Sequence, residues 1–236
     1  MSKLLGNTTL LIVNYNLPER VYLITKSVKG GWIIVDNGSD IVAPHPESTH
    51  FVDKNNGWIN GLVVGLEAVK TEFVWVFTTS MGAVSCEGNA IAELQSTFTA
   101  HPEAVTVSPA WLGDLTAKTH KVFAPSVEHY RENVMCSPAA MWRTNFLRDN
   151  LNHNLIYGWG ADLELGYIAK QAGFTLWVNN RVGIDISEHA GYSDGRRNET
   201  LDEVNKKASQ NMEEVLSDKY GKDWKGLLGL AAVLDA

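Results

Sequence analysis

The chain has 236 residues, of which 44% are hydrophobic and 20% are charged, as is typical of a soluble globular enzyme with a sizeable core. Its formal net charge of -7 at pH 7 argues against a general nucleic-acid-binding protein, because neutralising many phosphates requires clustered Lys and Arg. A single bound nucleotide is not excluded, since it needs only a local site.

Strands and helices alternate along the first half of the chain. Runs of apolar and β-branched residues predict strands, and apolar residues at helical spacing predict helices. The predicted strands cover residues 8–13, 32–35, 51–52, 73–77 and 104–107, and helices follow the first, third and fourth of them. This alternation predicts an α/β fold with a mostly parallel, doubly wound sheet flanked by helices.

The second half of the chain is less regular. Strands are predicted over residues 121–124, 175–178 and 182–186, and an apolar stretch over 134–142 is interrupted by Pro138. One helix is predicted after Gly160, ending at Gly173, and a last amphipathic helix over about 199–220. Because no linker or repeat is visible, we expect residues 1–236 to form one domain.

Cysteine usage and the N-terminus bear on location. Cys86 and Cys136 are too few for a disulfide framework and lack metal-site spacing. The apolar run at the N-terminus breaks at Gly6, which argues against a signal peptide, and no stretch reaches the roughly 18 apolar residues that span a membrane. We therefore expect a cytoplasmic protein with reduced thiols and no integral membrane segment.

Two turns after strands could contact a ligand. Asp36 follows a buried strand, where its carboxylate could accept hydrogen bonds from a base or a ribose, or could close an Asx turn. Asn56 and Gly57 precede a helix and could let the backbone approach a ligand, although an asparagine N-cap is the simpler interpretation of that position.

The helix after Gly160 begins with two acids. Asp162 and Glu164 are two residues apart, which is about 200° on a helix, so they point to different faces and do not form a catalytic carboxylate pair. One of them could act as a general base in a cleft. The alternative is that both only favour the positive end of the helix dipole.

His189 and the tip of the strand over 73–77 are further candidates. A histidine just after a strand could bind a metal, a phosphate or nothing. The strand tip carries Thr78, Thr79 and Ser80, which are hydroxyls without charge at a position where parallel strands usually face a ligand. No dinucleotide-binding, phosphate-loop or nucleophile-elbow motif is present.

Five segments in order carry a family resemblance. The stretches LLIVNYN, IIVDNGSD, NNGWINGLVVGLEAV, GWGADLELGYIAKQAG and EHAGYS resemble family 2 glycosyltransferases of the GT-A fold, especially the rhamnosyltransferase-like branch. The resemblance covers about residues 8–220 and includes the closing helix with its KYGKDW end.

The resemblance implies an inverting transfer of a hexose from a nucleotide-sugar donor to a hydroxyl of a glycan or another acceptor. It implies a donor-binding half over about residues 1–107 and an acceptor-binding half with the closing helix over about 108–225. The residues that match the donor site are Asn14, Asn16, Asp36, Asn56, Gly57 and Asn60.

The resemblance also assigns roles in the second half. Asp162 matches the general base that deprotonates the acceptor, and Glu164 matches an acidic position that follows it near the acceptor. His189 matches a histidine that in some members holds the metal or the diphosphate. Trp159 could offer an aromatic face to the acceptor sugar, or it could simply pack in the core.

Two departures from the family pattern affect the chemistry. Ala161 replaces the first acid of the Glu-Asp pair, and the strand tip has hydroxyls where the family has an Asp-x-Asp-like metal motif. Neutral hydroxyls hold a divalent cation poorly, so we expect reduced dependence on Mn²⁺ or Mg²⁺. The diphosphate charge could instead meet the hydroxyls of Thr78, Thr79 and Ser80, backbone N–H groups, and Arg196 or Arg197.

Two other functions compete with glycosyl transfer. A degenerate relative that only binds a nucleotide sugar would also lack the acidic motif. A nucleotidyltransferase would carry a Gly-rich, basic loop after the first strand, and the sequence there is Asn14-Tyr15-Asn16-Leu17-Pro18. The first alternative therefore stays open and the second is disfavoured.

Overall fold

The computed structural model describes residues 7–112, 129–132, 139–186, 192 and 195–229. The predicted strand over 121–124, most of the apolar stretch over 134–142, and His189 lie outside the described residues. The strands are β1 (Thr8–Asn14), β2 (Gly31–Asp36), β3 (His50–Phe51), β4 (Phe73–Thr78), β5 (Met81–Cys86), β6 (Ala104–Leu112), β7 (His129–Glu132), β8 (Met141–Arg143) and β9 (Thr175–Ile186). The helices are α1 (Pro18–Ser27), α2 (Trp58–Ala68), α3 (Ala90–Ala100), α4 (Thr144–Asn150), α5 (Ala161–Gln171), α6 (Leu201–Tyr220) and α7 (Trp224–Leu227).

The nine strands of the described residues join one sheet, which is parallel in its first half and mixed in its second. The order is β3-β2-β1-β4-β8-β6-β9-β5, with β7 also paired to β9. The predicted parallel arrangement holds from β3 to β4. Beyond β4, strand β8 runs antiparallel to both of its neighbours, and β5 and β7 run antiparallel to β9, whereas β6 and β9 are parallel.

The core lies on both faces of the sheet because side chains alternate along each strand. Leu11 and Val13 of β1 pack in a cluster with α2, α4, α5 and α6, whereas Leu10 and Ile12 pack in a cluster with α1 and α3. Strand β4 alternates in the same way between the two clusters. Near-continuous apolar runs are expected where both faces of a strand are covered.

Four of the described strands differ from the sequence-based prediction, which contains neither β7 nor β8. Strand β5 was not predicted, since its small residues give a weak hydrophobic pattern. The two strands predicted over 175–178 and 182–186 form one strand, β9. Asn179 and Asn180, which resemble turn residues, are buried where the pairing with β6 shifts register, and the Asn179 Oδ1 accepts a hydrogen bond from the Arg181 N–H. A bulge therefore accommodates residues that would otherwise end the strand.

Helix α6 begins with a capping box. The Thr200 hydroxyl accepts a hydrogen bond from the Glu203 N–H at 3.3 Å, and the Glu203 carboxylate accepts one from the Thr200 N–H at 2.8 Å. No helix in the described ranges is long and apolar enough to cross a membrane.

Removing this cap should loosen the start of α6. We expect Thr200→Ala to lower the free energy of unfolding by about 1 kcal/mol, because a helix N–H loses its acceptor. Thr200→Ser keeps the oxygen and serves as the control in a chemical denaturation series. Equal stability of the alanine and serine variants would contradict a stabilising cap.

Candidate functional site

A cleft of about 1320 Å³ opens at the carboxyl ends of the parallel strands. Its walls come from the ends of β1 and β4, the N-terminal ends of α2 and α5, and one face of α6. Ligands of open α/β sheets bind outside the carboxyl ends of the strands, so this is the expected place for a site. Of the predicted site residues, those that line the cleft are Asn56, Gly57, Thr78, Thr79, Ser80, Trp159 and Asp162.

The β4 tip contributes three hydroxyls to the cleft. Thr78 lies opposite Val13 of β1 in the sheet, and its Oγ1 is 2.6 Å from the Oγ of Ser80. Thr79 between them is 3% exposed. Within the described ranges no three His, Cys, Asp or Glu side chains come together in a metal-binding group. A divalent cation prefers charged oxygen ligands. The tip instead offers neutral hydroxyls, two of which are hydrogen-bonded to each other, so these residues do not fit such an ion.

Asn14 and Asn16, which were predicted to contact the nucleotide-sugar donor, are buried and do not line the cleft. The Oδ1 of Asn16 accepts hydrogen bonds from three consecutive N–H groups, those of residues 40–42, at 3.1 to 3.2 Å. Asn14 donates to Asp36 and accepts from the Leu17 N–H. Both amides therefore hold the loops at this edge of the sheet together.

Asp36 closes its own turn. Its Oδ1 accepts a hydrogen bond from the Ser39 N–H at 2.9 Å and its Oδ2 accepts one from the Ser39 hydroxyl at 2.7 Å. The side chain is 3% exposed and does not line the cleft, so the Asx-turn alternative describes this structure. The next residue in the chain, Asn37, lines the cleft instead.

Amide groups organise the approach to α2. The Nδ2 of Asn37 donates to the Asn55 Oδ1 and to the Gly57 carbonyl, both at 3.1 Å, and the Asn55 Oδ1 also accepts from the Gly57 N–H. Gly57 itself is the N-cap, with no side-chain cap, so the asparagine N-cap considered from the sequence does not form. Asn56 lines the cleft here, but Asn60 does not.

The N-terminal end of α2 contacts the loop that leads to α5. Gly57 has φ 99° and ψ 161°, and a Cβ on it would lie 2.3 Å from the Ile156 carbonyl oxygen. The Ile59 N–H donates to that same oxygen at 3.1 Å. Gly158 similarly leaves room for the Trp58 ring, which would lie 2.6 Å from its Cβ. These close approaches fix one wall of the cleft relative to the other.

The two acids of α5 point in different directions, as the 200° spacing predicts. Asp162 is half-buried and lines the cleft, and its Oδ1 accepts a hydrogen bond from the Leu163 N–H. Glu164 is 1% exposed and lies outside the cleft lining. Its Oε1 accepts hydrogen bonds from the Lys219 Nζ at 2.6 Å and the Tyr220 hydroxyl at 2.9 Å. Glu164 therefore links α5 to α6, and the acceptor contact predicted for it stays a prediction.

Tyr220 is suited to this link. Burial, together with the neighbouring Glu164 carboxylate, raises the pKa of Tyr220 far above its usual value, so the hydroxyl keeps its proton and donates a hydrogen bond to Glu164. Trp159 behaves differently from a core residue, since it is 44% exposed and lines the cleft. It can present its ring to a ligand.

Of Arg196 and Arg197, between which the sequence did not decide, one lines the cleft. Arg197 lines it, with its guanidinium 5.2 Å from the Tyr15 ring centre and 5.5 Å from that of Tyr192. Arg196 instead forms an ion pair with Glu19 and is not part of the lining.

A hydrogen-bond network anchors this side of the cleft. The Asn198 Nδ2 donates to the Tyr15 hydroxyl at 3.1 Å and to Asp40 at 2.7 Å, and the Tyr15 hydroxyl donates to Asp40 at 3.1 Å. Hydrogen bonds from the amides of Asn16 and Asn198 lower the pKa of Asp40, so its carboxylate stays ionised. Burial and this carboxylate raise the pKa of the Tyr15 phenol.

A scan against protein-family models finds no match, and no curated protein matches the sequence. Solved structures match it in shape. GalNAc-T7, crystallised with UDP, GalNAc and Mn²⁺, has a TM-score of 0.59 and 12% identity over 79% of this chain and 44% of its own. S. aureus TarS has a TM-score of 0.58 and 12% identity over 96% of this chain and 42% of its own. A TarS fragment, residues 1–349 with UDP, has a TM-score of 0.53 and 12% identity over 93% and 73% of the two chains.

At this level of identity the shared feature is the fold. The predicted GT-A fold is confirmed: the chain has an α/β fold in which helices flank a mixed β-sheet. The chain spans less than half the length of GalNAc-T7 and of TarS.

Proposed function

We propose that this chain, which has the fold of GT-A glycosyltransferases, transfers a hexose from a nucleotide-sugar donor to an acceptor hydroxyl with inversion. The observation that carries the proposal is that Asp162 and the β4 tip line one cleft. A base on one wall and a leaving-group site on another are what a displacement at a sugar carbon requires. Assignment to family 2, and to its rhamnosyltransferase-like branch, rests on the five sequence segments.

The donor is proposed to lie against α2 and the β4 tip. Asn56 and Gly57 would lie beside the nucleoside, and the hydroxyls of Thr78, Thr79 and Ser80 would donate hydrogen bonds to diphosphate oxygens. Tyr15 and Asn37 line the same region and join the proposed donor contacts. The buried residues Asn14, Asn16 and Asp36 would support these contacts by holding the loops, and Asn60 is given no donor contact. UDP in the crystals of GalNAc-T7 and TarS supports a nucleotide donor.

The acceptor is proposed to lie between Trp159 and α6. The Asp162 carboxylate would take the proton of the acceptor hydroxyl as its oxygen attacks the anomeric carbon from the face opposite the diphosphate. Trp159 would offer its exposed ring to a sugar acceptor. Location in the cytoplasm, expected from the cysteine usage, is part of the proposal.

A divalent cation is given no step here. GalNAc-T7 was crystallised with Mn²⁺, but the hydroxyls at the tip of β4 do not fit such an ion. His189, the predicted ligand of a metal or a diphosphate, lies outside the described residues. The proposed reaction therefore has reduced metal dependence.

The missing acidic motif also favours a second candidate, a module that binds a nucleotide sugar without turnover. A panel of nucleotide sugars, tested first by thermal shift, separates the possibilities because a bound donor raises the melting temperature by mass action. Release of nucleoside diphosphate from the stabilising donor is then measured with and without EDTA. Turnover supports the transferase, a shift without turnover in either condition supports the binding module, and no shift with any donor contradicts both.

A further inference from the structure

We infer that Arg197, held between the rings of Tyr15 and Tyr192, binds the diphosphate of the nucleotide-sugar donor. It supplies positive charge there in place of a divalent cation. The inference rests on the proposed function, because it concerns the leaving group of the same reaction. The sequence did not decide whether Arg196 or Arg197 meets the charge of the diphosphate, and the inference assigns that contact to Arg197.

Sheet register places Tyr15, which contacts Arg197, beside the β4 tip. Strands β1 and β4 are parallel neighbours with Val13 opposite Thr78, so the residues that follow each strand emerge side by side. Neighbouring strands lie about 4.8 Å apart. Tyr15 follows β1, and the guanidinium of Arg197 lies over its ring. Arg197, Thr78 and Ser80 all line the same cleft.

The surroundings of Arg197 orient a planar cation. Two aromatic rings within 5.5 Å attract the guanidinium and restrict its orientation. The adjacent Asn198 is tied to Tyr15 and Asp40, which fixes the backbone beside Arg197. Phosphate oxygens match the fork of guanidinium N–H groups, and a pre-oriented fork loses little entropy when it binds them.

The other basic residues near the cleft are less suited to the diphosphate. Arg196 lies outside the lining. Lys225 also lines the cleft, but it belongs to α7, beyond the end of α6 and on the side proposed for the acceptor. Lys54 precedes Asn55 and Gly57 and is exposed, on the side proposed for the nucleoside.

The charge has a defined task in the transfer. The bond between the anomeric carbon and the diphosphate oxygen breaks, and its electron pair stays on the diphosphate. The acceptor oxygen forms the new bond to that carbon, and its proton passes to Asp162. Negative charge therefore builds on the diphosphate, where a fixed guanidinium and the hydroxyls of Thr78 and Ser80 stabilise it.

The test measures binding of UDP, GDP, CDP and dTDP, each beside its nucleoside, in excess EDTA. We expect Arg197→Gln to weaken the tightest diphosphate by roughly ten- to a hundredfold and to leave the affinity for the matching nucleoside unchanged. Arg196→Gln is the matched control, since it removes the neighbouring charge outside the cleft, and should leave both affinities unchanged. Arg197→Lys keeps a charge and should recover part of the loss.

Several results would overturn the inference. One is an equal diphosphate affinity of the wild type and Arg197→Gln. Another is an Arg197→Lys variant that binds the diphosphate no more tightly than Arg197→Gln, because the role of Arg197 would then be packing and not charge. Diphosphate binding that is lost in EDTA and restored by Mn²⁺ would return the role to a metal. A wild-type protein that binds none of the diphosphates in either EDTA or Mn²⁺ would overturn the proposed function as well, which separates the two failures.

Discussion

Replacing Asp162 with Asn is expected to lower the rate of sugar transfer by roughly 100- to 10,000-fold while leaving donor affinity nearly unchanged. The amide has nearly the shape of the carboxylate but cannot take the acceptor proton. Asp162 lines the cleft at the start of α5, whereas the hydroxyls proposed to hold the nucleotide-sugar donor lie at the end of β4 and just after it. Transfer is measured as nucleoside diphosphate release from the stabilising donor, and affinity by thermal shift.

Helix α6 supplies a matched control for this substitution. Asp202 occupies the same position in the first turn of α6 as Asp162 does in α5, but it is exposed and does not line the cleft. Asp202→Asn therefore removes the same interaction with a helix dipole without removing the proposed base. Full activity of Asp162→Asn, or an equal loss in both variants, would reject Asp162 as the base.

Gly57→Ala should be the most damaging substitution of a glycine near the cleft. Its backbone lies in a region that only glycine adopts readily, at a cost of about 1–3 kcal/mol for other residues. The added methyl would meet the Ile156 carbonyl oxygen at 2.3 Å, and such overpacking costs about 1–3 kcal/mol more. We expect the free energy of unfolding to fall by roughly 2–6 kcal/mol in chemical denaturation.

The same variant should also lose activity at temperatures where it stays folded. A shift of the loop at Ile156 would carry Asp162 with it, and a misplacement of about 1 Å can cost roughly a hundredfold in rate. Gly173→Ala is the control, because Gly173 has φ 79° but its Cβ would meet nothing within 4 Å. We expect Gly173→Ala to lower the free energy of unfolding by about 1–2 kcal/mol, from backbone strain alone, and to leave turnover unchanged. Similar losses of stability in both variants would contradict a clash at Gly57.

The sequence predicts which loops form the cleft better than which side chains face it. At the end of β1 the side chains alternate in direction, so Asn14 and Asn16 turn inward while Tyr15 between them reaches the cleft. Asp36, the last residue of β2, and Asn37 after it are both buried, yet only Asn37 lines the cleft. Asparagine, aspartate and tyrosine are all compatible with either direction at a strand end. Only the packing of the loops decides between them.

Helical geometry made stronger predictions than strand ends did. The angle between Asp162 and Glu164 predicts opposite directions, and the structure has one in the cleft and the other buried. No local pattern could predict that Lys219 and Tyr220, 55 and 56 residues later, bind Glu164. Likewise, Arg196 and Arg197 are neighbours in sequence, and their contacts with the distant residues Glu19 and Tyr15 help to distinguish them.

The place of β8 in the sheet has a consequence for synthesis of the chain. Residues 141–143 pair with β4 and separate it from β6, although both of those strands are made earlier. A ribosome that has completed β6 has therefore produced an apolar β4 with one unpaired edge. Such an edge can pair with another chain and promote aggregation until its partner emerges. Fragments ending before residue 141 should consequently require a chaperone or co-expression of the remainder to stay in solution.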